Sequence, residues 1–219
     1  NGIWISWHRD GTIKETGIWK YNKKDGEWFG YFENGQPEYN ISWNNGIKHG
    51  LYTSFYQGNK LKASGNFIFG KKNDIWFFYY KNGNKMRIEN WKYGIPDGEW
   101  KYFYENKNKK AFGEISKGNR TGYWKYYFEN EAVSSEGNWN NDTLNGLWIY
   151  YHENGNIREK GYWLNDSQHG LWEYFYENGL KETAGYWHYG RKEYFWKYFY
   201  ENGSVKEFGN WTDNKQTGL

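Results

Sequence analysis

A glutamate recurs at multiples of 24 residues, as Glu33, Glu105, Glu129, Glu153, Glu177 and Glu201, and recurring carboxylates raise the question of acid–base chemistry of the glycosidase kind. An active site is a singular constellation. A side chain repeated in copy after copy beside a turn signal describes a solvated flank instead. The five histidines invite a search for a metal. His8 and His152 hold the same place six repeats apart, which at two strands per repeat puts them roughly 60 Å from each other. His49 and His169 are connection residues five repeats apart and His188 stands alone, so the sequence gives no ion a set of ligands. Ser134, Ser135 and Ser204 sit at or beside turns with no histidine at a fixed offset, which leaves nucleophilic catalysis without its base. No catalytic, cofactor or metal-ligating residue emerges, and the chain reads as non-enzymatic.

The informative spacing belongs to the aromatic residues. Tryptophan falls every 24 residues at Trp4, Trp28, Trp76, Trp100, Trp124, Trp148, Trp172 and Trp196, with Tyr52 filling the one missing beat. With Gly2 as position 1 of the first copy, these are position 3. Position 18 gives a second ladder of Trp19, Trp43, Phe67, Trp91, Ile115, Trp139, Trp163, Trp187 and Trp211. Copies begin near 2, 26, 50, 74, 98, 122, 146, 170 and 194, with no insertion or deletion. Residues 1–219 therefore read as one continuous array in which each copy contacts mainly its neighbours. Neither end of the sequence is atypical, so it reads as a piece of a longer array whose uncapped ends offer a route to self-association.

Composition agrees with a thin aromatic layer rather than a thick aliphatic core. Only 37% of residues are hydrophobic, yet 24% are aromatic. Rings bury well in a single layer while their hydroxyls and edges stay wet. The net charge of +3 is spread without basic runs, which argues against nucleic acid and against strong attraction to anionic membrane surfaces. The absence of cysteine removes disulfides and thiol chemistry without fixing a compartment.

Each copy reads G-x-W-x-Y-F-Y-E-N-G-x-hydrophobic-K-x-x-G-x-W followed by a polar connection. Asn-Gly between aromatic stretches predicts a two-residue hairpin turn with both residues at positive φ. It recurs at Asn34-Gly35, Asn82-Gly83, Asn154-Gly155, Asn178-Gly179 and Asn202-Gly203. That turn pairs position 7 with 12, 6 with 13, 3 with 16 and 1 with 18, so each tryptophan faces a glycine and shields it across its own hairpin. Lys107 and Glu131 replace the turn glycine and predict looser or longer turns. The expected fold is all-β: an elongated single-layer antiparallel meander of about 18 strands, a twisted ribbon or trough of about 85 Å.

On this register positions 3, 5, 7, 12, 16 and 18 share one face, and the aromatic position 6 points the other way, where the connecting loops are available to cover it. The ring-rich face has two readings, the protein's own core or an exposed strip for a partner. Copies one to three carry Ser6, Gly30 and Ser54 at position 5, so the later copies present the fullest ring sets. The partner-binding candidates are Tyr102, Tyr104, Tyr126, Tyr150, Tyr174, Tyr176, Tyr198 and Tyr200.

The core G-x-W-x-Y-Y-x-E-N-G, with the N-G-x-x-H-G connection seen at Asn45–Gly50 and the His169-Gly170 step, resembles the MORN repeat, and more closely the bacterial MORN variant found in YwqK-family antitoxin-like proteins. The resemblance covers the whole chain. Asp25-Gly26, Asp97-Gly98 and Thr121-Gly122 keep only the glycine of that step, and Asp74 and Tyr194 lose it. The resemblance implies an elongated sheet of successive hairpins that lacks catalysis and serves as a scaffold, a dimerisation device or an attachment to proteins and sometimes lipids. A weaker likeness to choline-binding and other cell-wall-binding repeats, whose period is shorter, implies aromatic cages for a quaternary ammonium group or a glycan.

Overall fold

The computed structural model describes residues 1–218. Two compact units divide at residues 107 and 108. The first holds ten strands from Gly2–Trp7 to Gly98–Phe103, and the second holds ten from Lys109–Ser116 to Lys215–Gly218. Among the described residues there is no helix, and within each unit the strands form a single-layer antiparallel meander in which pairing runs between successive hairpin arms.

The copy beginning at Gly146 shows how the residues build the hairpin. Its arms, Thr143–Tyr151 and Ile157–Leu164, pair Gly146 with Trp163, Trp148 with Gly161 and Tyr150 with Glu159, as the sequence predicts. The turn differs. Tyr151 pairs with Ile157, so Arg158 is a one-residue bulge. His152 N–H donates to the Asn156 carbonyl at 2.8 Å, and Gly155 N–H to His152 at 3.0 Å, closing a three-residue loop. Only the glycine takes positive φ, at 89°. Asn154 instead uses its side chain, whose Oδ1 accepts from Asn156 N–H at 2.9 Å. Asparagine is chosen here for that acceptor and not for left-handed backbone. The extra loop residue and the bulge offset each other, which is why the register over the glycines is right although the turn was not. One consequence is that position 12 pairs with position 6 and joins the opposite face, leaving positions 3, 5, 7, 16 and 18 with the rings.

Turns with both residues at positive φ do occur, at the other edge. Asn141 and Asp142 (φ 49° and 64°), Asn165 and Asp166 (48° and 62°) and Tyr189 and Gly190 (47° and 78°) are two-residue turns. The expected polar loop is therefore itself a tight hairpin whose arm runs on into the next copy. Among the described residues these connections are too short to cover either face.

Lys107 and Glu131 do not loosen their turns. They adopt the glycine conformation, φ 81° and 71°, and their N–H groups donate to Tyr104 and Phe128 at 3.1 and 3.2 Å. A side chain held there costs about 1–2 kcal/mol, partly offset because glycine is the more flexible residue when unfolded. Lys107→Gly and Glu131→Gly should each stabilise the chain by about 0.5–1 kcal/mol in urea titrations; a loss of stability would mean that the side chains make contacts outweighing the backbone cost.

The core is the indole row, and it crosses the repeat boundary. A Cβ on Gly137 would lie 2.3 Å from the Trp148 ring, on Gly161 2.3 Å from Trp172, and on Gly185 2.0 Å from Trp196. Each tryptophan thus lies on the position-16 glycine of the preceding copy and not on the glycine of its own hairpin. Its Nε1–H donates to the next backbone carbonyl of that copy, Trp148 to Asn138 at 2.9 Å and Trp172 to Tyr162 at 3.0 Å. The tryptophan at 18 shields nothing at position 1: a Cβ on Gly146 or Gly170 meets no atom within 4 Å. That glycine is needed for a bulge in the strand entering the hairpin, at φ 81° and 76°. Trp4, without a preceding copy in this sequence, is 39% exposed, whereas Trp28 and Trp172 are fully buried.

Two copies test the rule by exception. Where Ile41 replaces the glycine, the residue paired with it on the following strand is Tyr52, the only non-tryptophan of the ladder. Where Glu89 replaces it, the carboxylate is buried and takes hydrogen bonds from Arg87 Nε at 2.5 Å and Trp91 Nε1 at 2.8 Å, with Lys72 Nζ at 3.5 Å. Trp91 and Trp100 then meet at 49° instead of the near-perpendicular contact of Trp163 with Trp172.

Candidate functional site

Upon the indole row sits a second tier of rings. In the second unit Trp124, Tyr126, Trp148 and Tyr150 stack in series at 6.0, 6.2 and 5.8 Å, and Trp172, Tyr174, Trp196 and Tyr198 at 6.0, 6.4 and 6.3 Å. The tryptophans at 18 stand edge-on to the indoles, 5.3 Å between centroids for both Trp163–Trp172 and Trp187–Trp196. Their N–H groups donate to position-5 hydroxyls, Trp139 to Tyr126 and Trp187 to Tyr174, each at 3.1 Å. The indoles are therefore core, and the tyrosines stacked on them are half-buried.

Burial leaves its mark on these phenols. It pushes Tyr150 up to about 12, and it raises Tyr126 against the lowering effect of Arg120 and Trp139, and Tyr174 against that of Trp187 and Gln168. A phenol ionises near 10 once unfolded. A raised folded pKa contributes stability below pH 10 that is lost as pH climbs through the folded value. The strands of the second unit that carry these tyrosines should therefore lose structure between about pH 10 and 12, with phenolate absorbance and loss of circular dichroism rising together. Tyrosine ionisation completed near pH 10 with the fold intact would show that these hydroxyls are not desolvated.

Position 7 does other work. Tyr176 Oη donates to the Phe199 carbonyl at 2.8 Å, and Tyr56 and Tyr80 reach Tyr79 and Phe103 in the same way. His8 and His152 place Nε2 on the Tyr31 and Phe175 carbonyls at 2.8 and 2.9 Å. These side chains staple one hairpin to the next. Of the candidates, Tyr102 packs on Trp100 in the first unit, Tyr104 is half-buried, and Tyr200 is the most open at 52%. The recurring glutamates are exposed, as the solvated reading expects. Their carbonyls accept from turn asparagines of the copy before, Asn154 to Glu177 and Asn178 to Glu201.

His188 is not alone: its ring lies 5.5 Å from His169 and 4.7 Å from Tyr189. The register that pairs Gly170 with Trp187 sets His169 opposite His188 at the open end of that hairpin, one step beyond the pairing of positions 1 and 18 that the sequence predicts. Among the described residues no three histidine or carboxylate side chains group as metal ligands.

Position 23 was also missed, for it shows no constant residue type. Lys24 lies 3.8 Å over the Trp28 ring, Lys72 4.7 Å over Trp76, Arg120 3.5 Å over Trp139 and Lys192 4.3 Å over Trp196. The chain supplies its own cations to its ring faces. On the opposite face Glu136 accepts from Tyr151 Oη at 2.6 Å, from Tyr123, and from Lys125 at 2.9 Å. Burial works to raise this carboxyl, and the hydrogen bonds outweigh it and hold it below the usual range.

Successive hairpins of fixed length, locked by indoles across repeat boundaries, define a β-hairpin repeat array. The chain belongs to the MORN repeat family: the model described as MORN repeat variant matches residues 24–45, 48–68, 96–111, 120–141, 144–165 and 168–188, more than half its length. Residues 72–93, which carry Asp74 and Glu89 in glycine places, fall outside those matches. MORN repeats are in general protein-interaction modules, and the family is non-enzymatic. No curated protein matches the sequence. The crystal structures of TcdB2-TccC3-Cdc42 and of TcdB2-TccC3 contain chains similar over 89% of this one at 9% identity, with TM-scores of 0.21 and 0.22. This chain spans 13% of each, and so loose a likeness carries nothing about function.

Proposed function

We propose that the array is a non-enzymatic scaffold that binds a protein through the tyrosine tier of its ring face. The carrying observation is the series of half-exposed phenols at position 5, Tyr126, Tyr150, Tyr174 and Tyr198, each held in place by stacking on buried indoles. Rigid, half-exposed rings contribute contact area at little entropic cost, which is why tyrosine concentrates in binding hot spots. Tyr102 and Tyr104 offer the same surface in the first unit, and Tyr176 and Tyr200 extend it along the turn edge of the second. An antitoxin-like neutraliser is a narrower form of this reading, with a toxin as the partner. A choline- or glycan-binding module is the alternative, and the chain's own cations over the rings weigh against a quaternary ammonium ligand.

Tyr126→Ser, Tyr150→Ser and Tyr174→Ser in one chain should reduce partner capture by about tenfold or more while far-ultraviolet circular dichroism stays folded. Serine is what the first and third copies already carry at this position. Unchanged capture by the folded variant would remove the site, and retention on choline resin or glycan arrays would favour the alternative.

A further inference from the structure

The ring tier lacks its position-5 ring at Ser6, Gly30 and Ser54, and we infer that the gap at Ser54 is a binding pocket for a small flat ring bearing a negative charge. At position 5 of the second copy Gly30 also lacks a ring, but its cross-strand partner Tyr39 lies over it. In the third copy Ser54 pairs with Ala63, so two adjacent strands carry small, buried residues between Tyr39 and Phe78. The hollow left there measures about 390 Å³ and adjoins another of about 500 Å³ that shares Tyr52, Ser54, Tyr56 and Lys62. Both lie within the first unit and have the size of small-molecule sites.

Its walls are aromatic. Tyr52 stacks on Trp76 at 5.5 Å and Phe78 on Trp76 at 6.2 Å, with Phe67 edge-on to Trp76 at 4.9 Å. Tyr52 and Trp76 already stack on each other, so a flat ring entering over Ser54 lies against that pair and Phe78 rather than between two indoles as Tyr126 does.

The rim fixes the charge. Lys48, Lys62, Lys72 and Arg87 line the hollow with no carboxylate among its lining residues. Behind it Glu89 pairs with both Arg87 and Lys72, and the adjoining hollow adds Glu38 and Lys81, so cations outnumber carboxylates around the two by five to two. Lys48 lies over Phe67 at 5.3 Å and Lys62 over Tyr56 at 5.7 Å, and neither is ion-paired among the described residues. Burial, helped a little by Arg87, lowers Lys72 despite the opposing pull of Glu89, which marks a partly dry place. An anion bound here is attracted at short range, and its ring replaces water over an apolar floor.

Calorimetric titration of the full chain with phenyl phosphate and with adenosine monophosphate tests this, inorganic phosphate and adenosine serving as half-ligands. Saturable one-to-one binding of at least one charged ring is expected, and which of the two binds distinguishes a simple aryl anion from a nucleotide. Ser54→Tyr, which installs the ring of the later copies, should abolish binding with the melting curve retained. Lys48→Glu with Lys62→Glu, surface changes outside the indole row, should weaken it by about tenfold or more. Absence of saturable binding, inorganic phosphate binding as tightly as the aryl anion, or undiminished binding by folded Ser54→Tyr would each overturn the pocket. None of these outcomes bears on the tyrosine tier of the second unit.

Discussion

Trp172→Ala is expected to cost about 3–5 kcal/mol, the largest loss from any single substitution in the array. Trp172 is fully buried, lies on Gly161 of the preceding copy, donates to the Tyr162 carbonyl at 3.0 Å and carries Tyr174 and Trp163 on its ring. No second layer exists to collapse into the space. Because pairing and packing run between successive hairpins, the damage should be local. Hydrogen exchange should accelerate over the strands Ile157–Leu164 and Ser167–Phe175 before it changes in Asn119–Tyr127. Uniform loss of protection throughout the second unit would mean that it folds all-or-none, and the boundary contact would then be one term among many.

Gly185→Ala gives the second largest expected effect, about 3 kcal/mol for a single methyl group. The new Cβ would sit 2.0 Å from Trp196 Cδ2, in the middle of a ring pinned on both sides by Tyr174 and Tyr198. The ring has nowhere to move. Gly170→Ala is the matched control. It meets nothing within 4 Å but has φ 76°, so it should cost only about 1 kcal/mol of backbone strain. Chemical denaturation of the two variants should separate them clearly, and equal losses would show that conformation rather than crowding governs the position-16 glycines.

The period, the strand order and the pairing of Trp148 with Gly161 were legible because equal-length copies leave a meander few alternatives. The direction of shielding was not. In an antiparallel sheet each tryptophan has a glycine on both flanks, Gly137 and Gly161 for Trp148, and only the lean of the ring decides between them. Tyr52 held the clue, since the co-substituted residue is Ile41 in the copy before and not Gly65 in its own. The turn was misread because Asn-Gly satisfies two geometries, and the loop that adds one residue is offset by a bulge that hides the error at a distance. The hollow over Ser54 lay beyond sequence reading: a missing ring at position 5 is silent until its partners at position 14 are compared, Tyr39 filling one gap and Ala63 leaving the other open. That the later copies carry the fullest ring sets was visible at once, whereas the cations at position 23 were invisible because lysine, proline, arginine, leucine and glutamine all occur there.

A double-mutant cycle across one repeat boundary bears most directly on this account. Gly161→Ile and Trp172→Tyr should each destabilise the chain, while together they recreate the Ile41–Tyr52 pair and should recover more than about 1 kcal/mol of the summed loss. Additive losses in denaturant titrations would contradict the claim that an indole seated on its predecessor's glycine is what joins the copies.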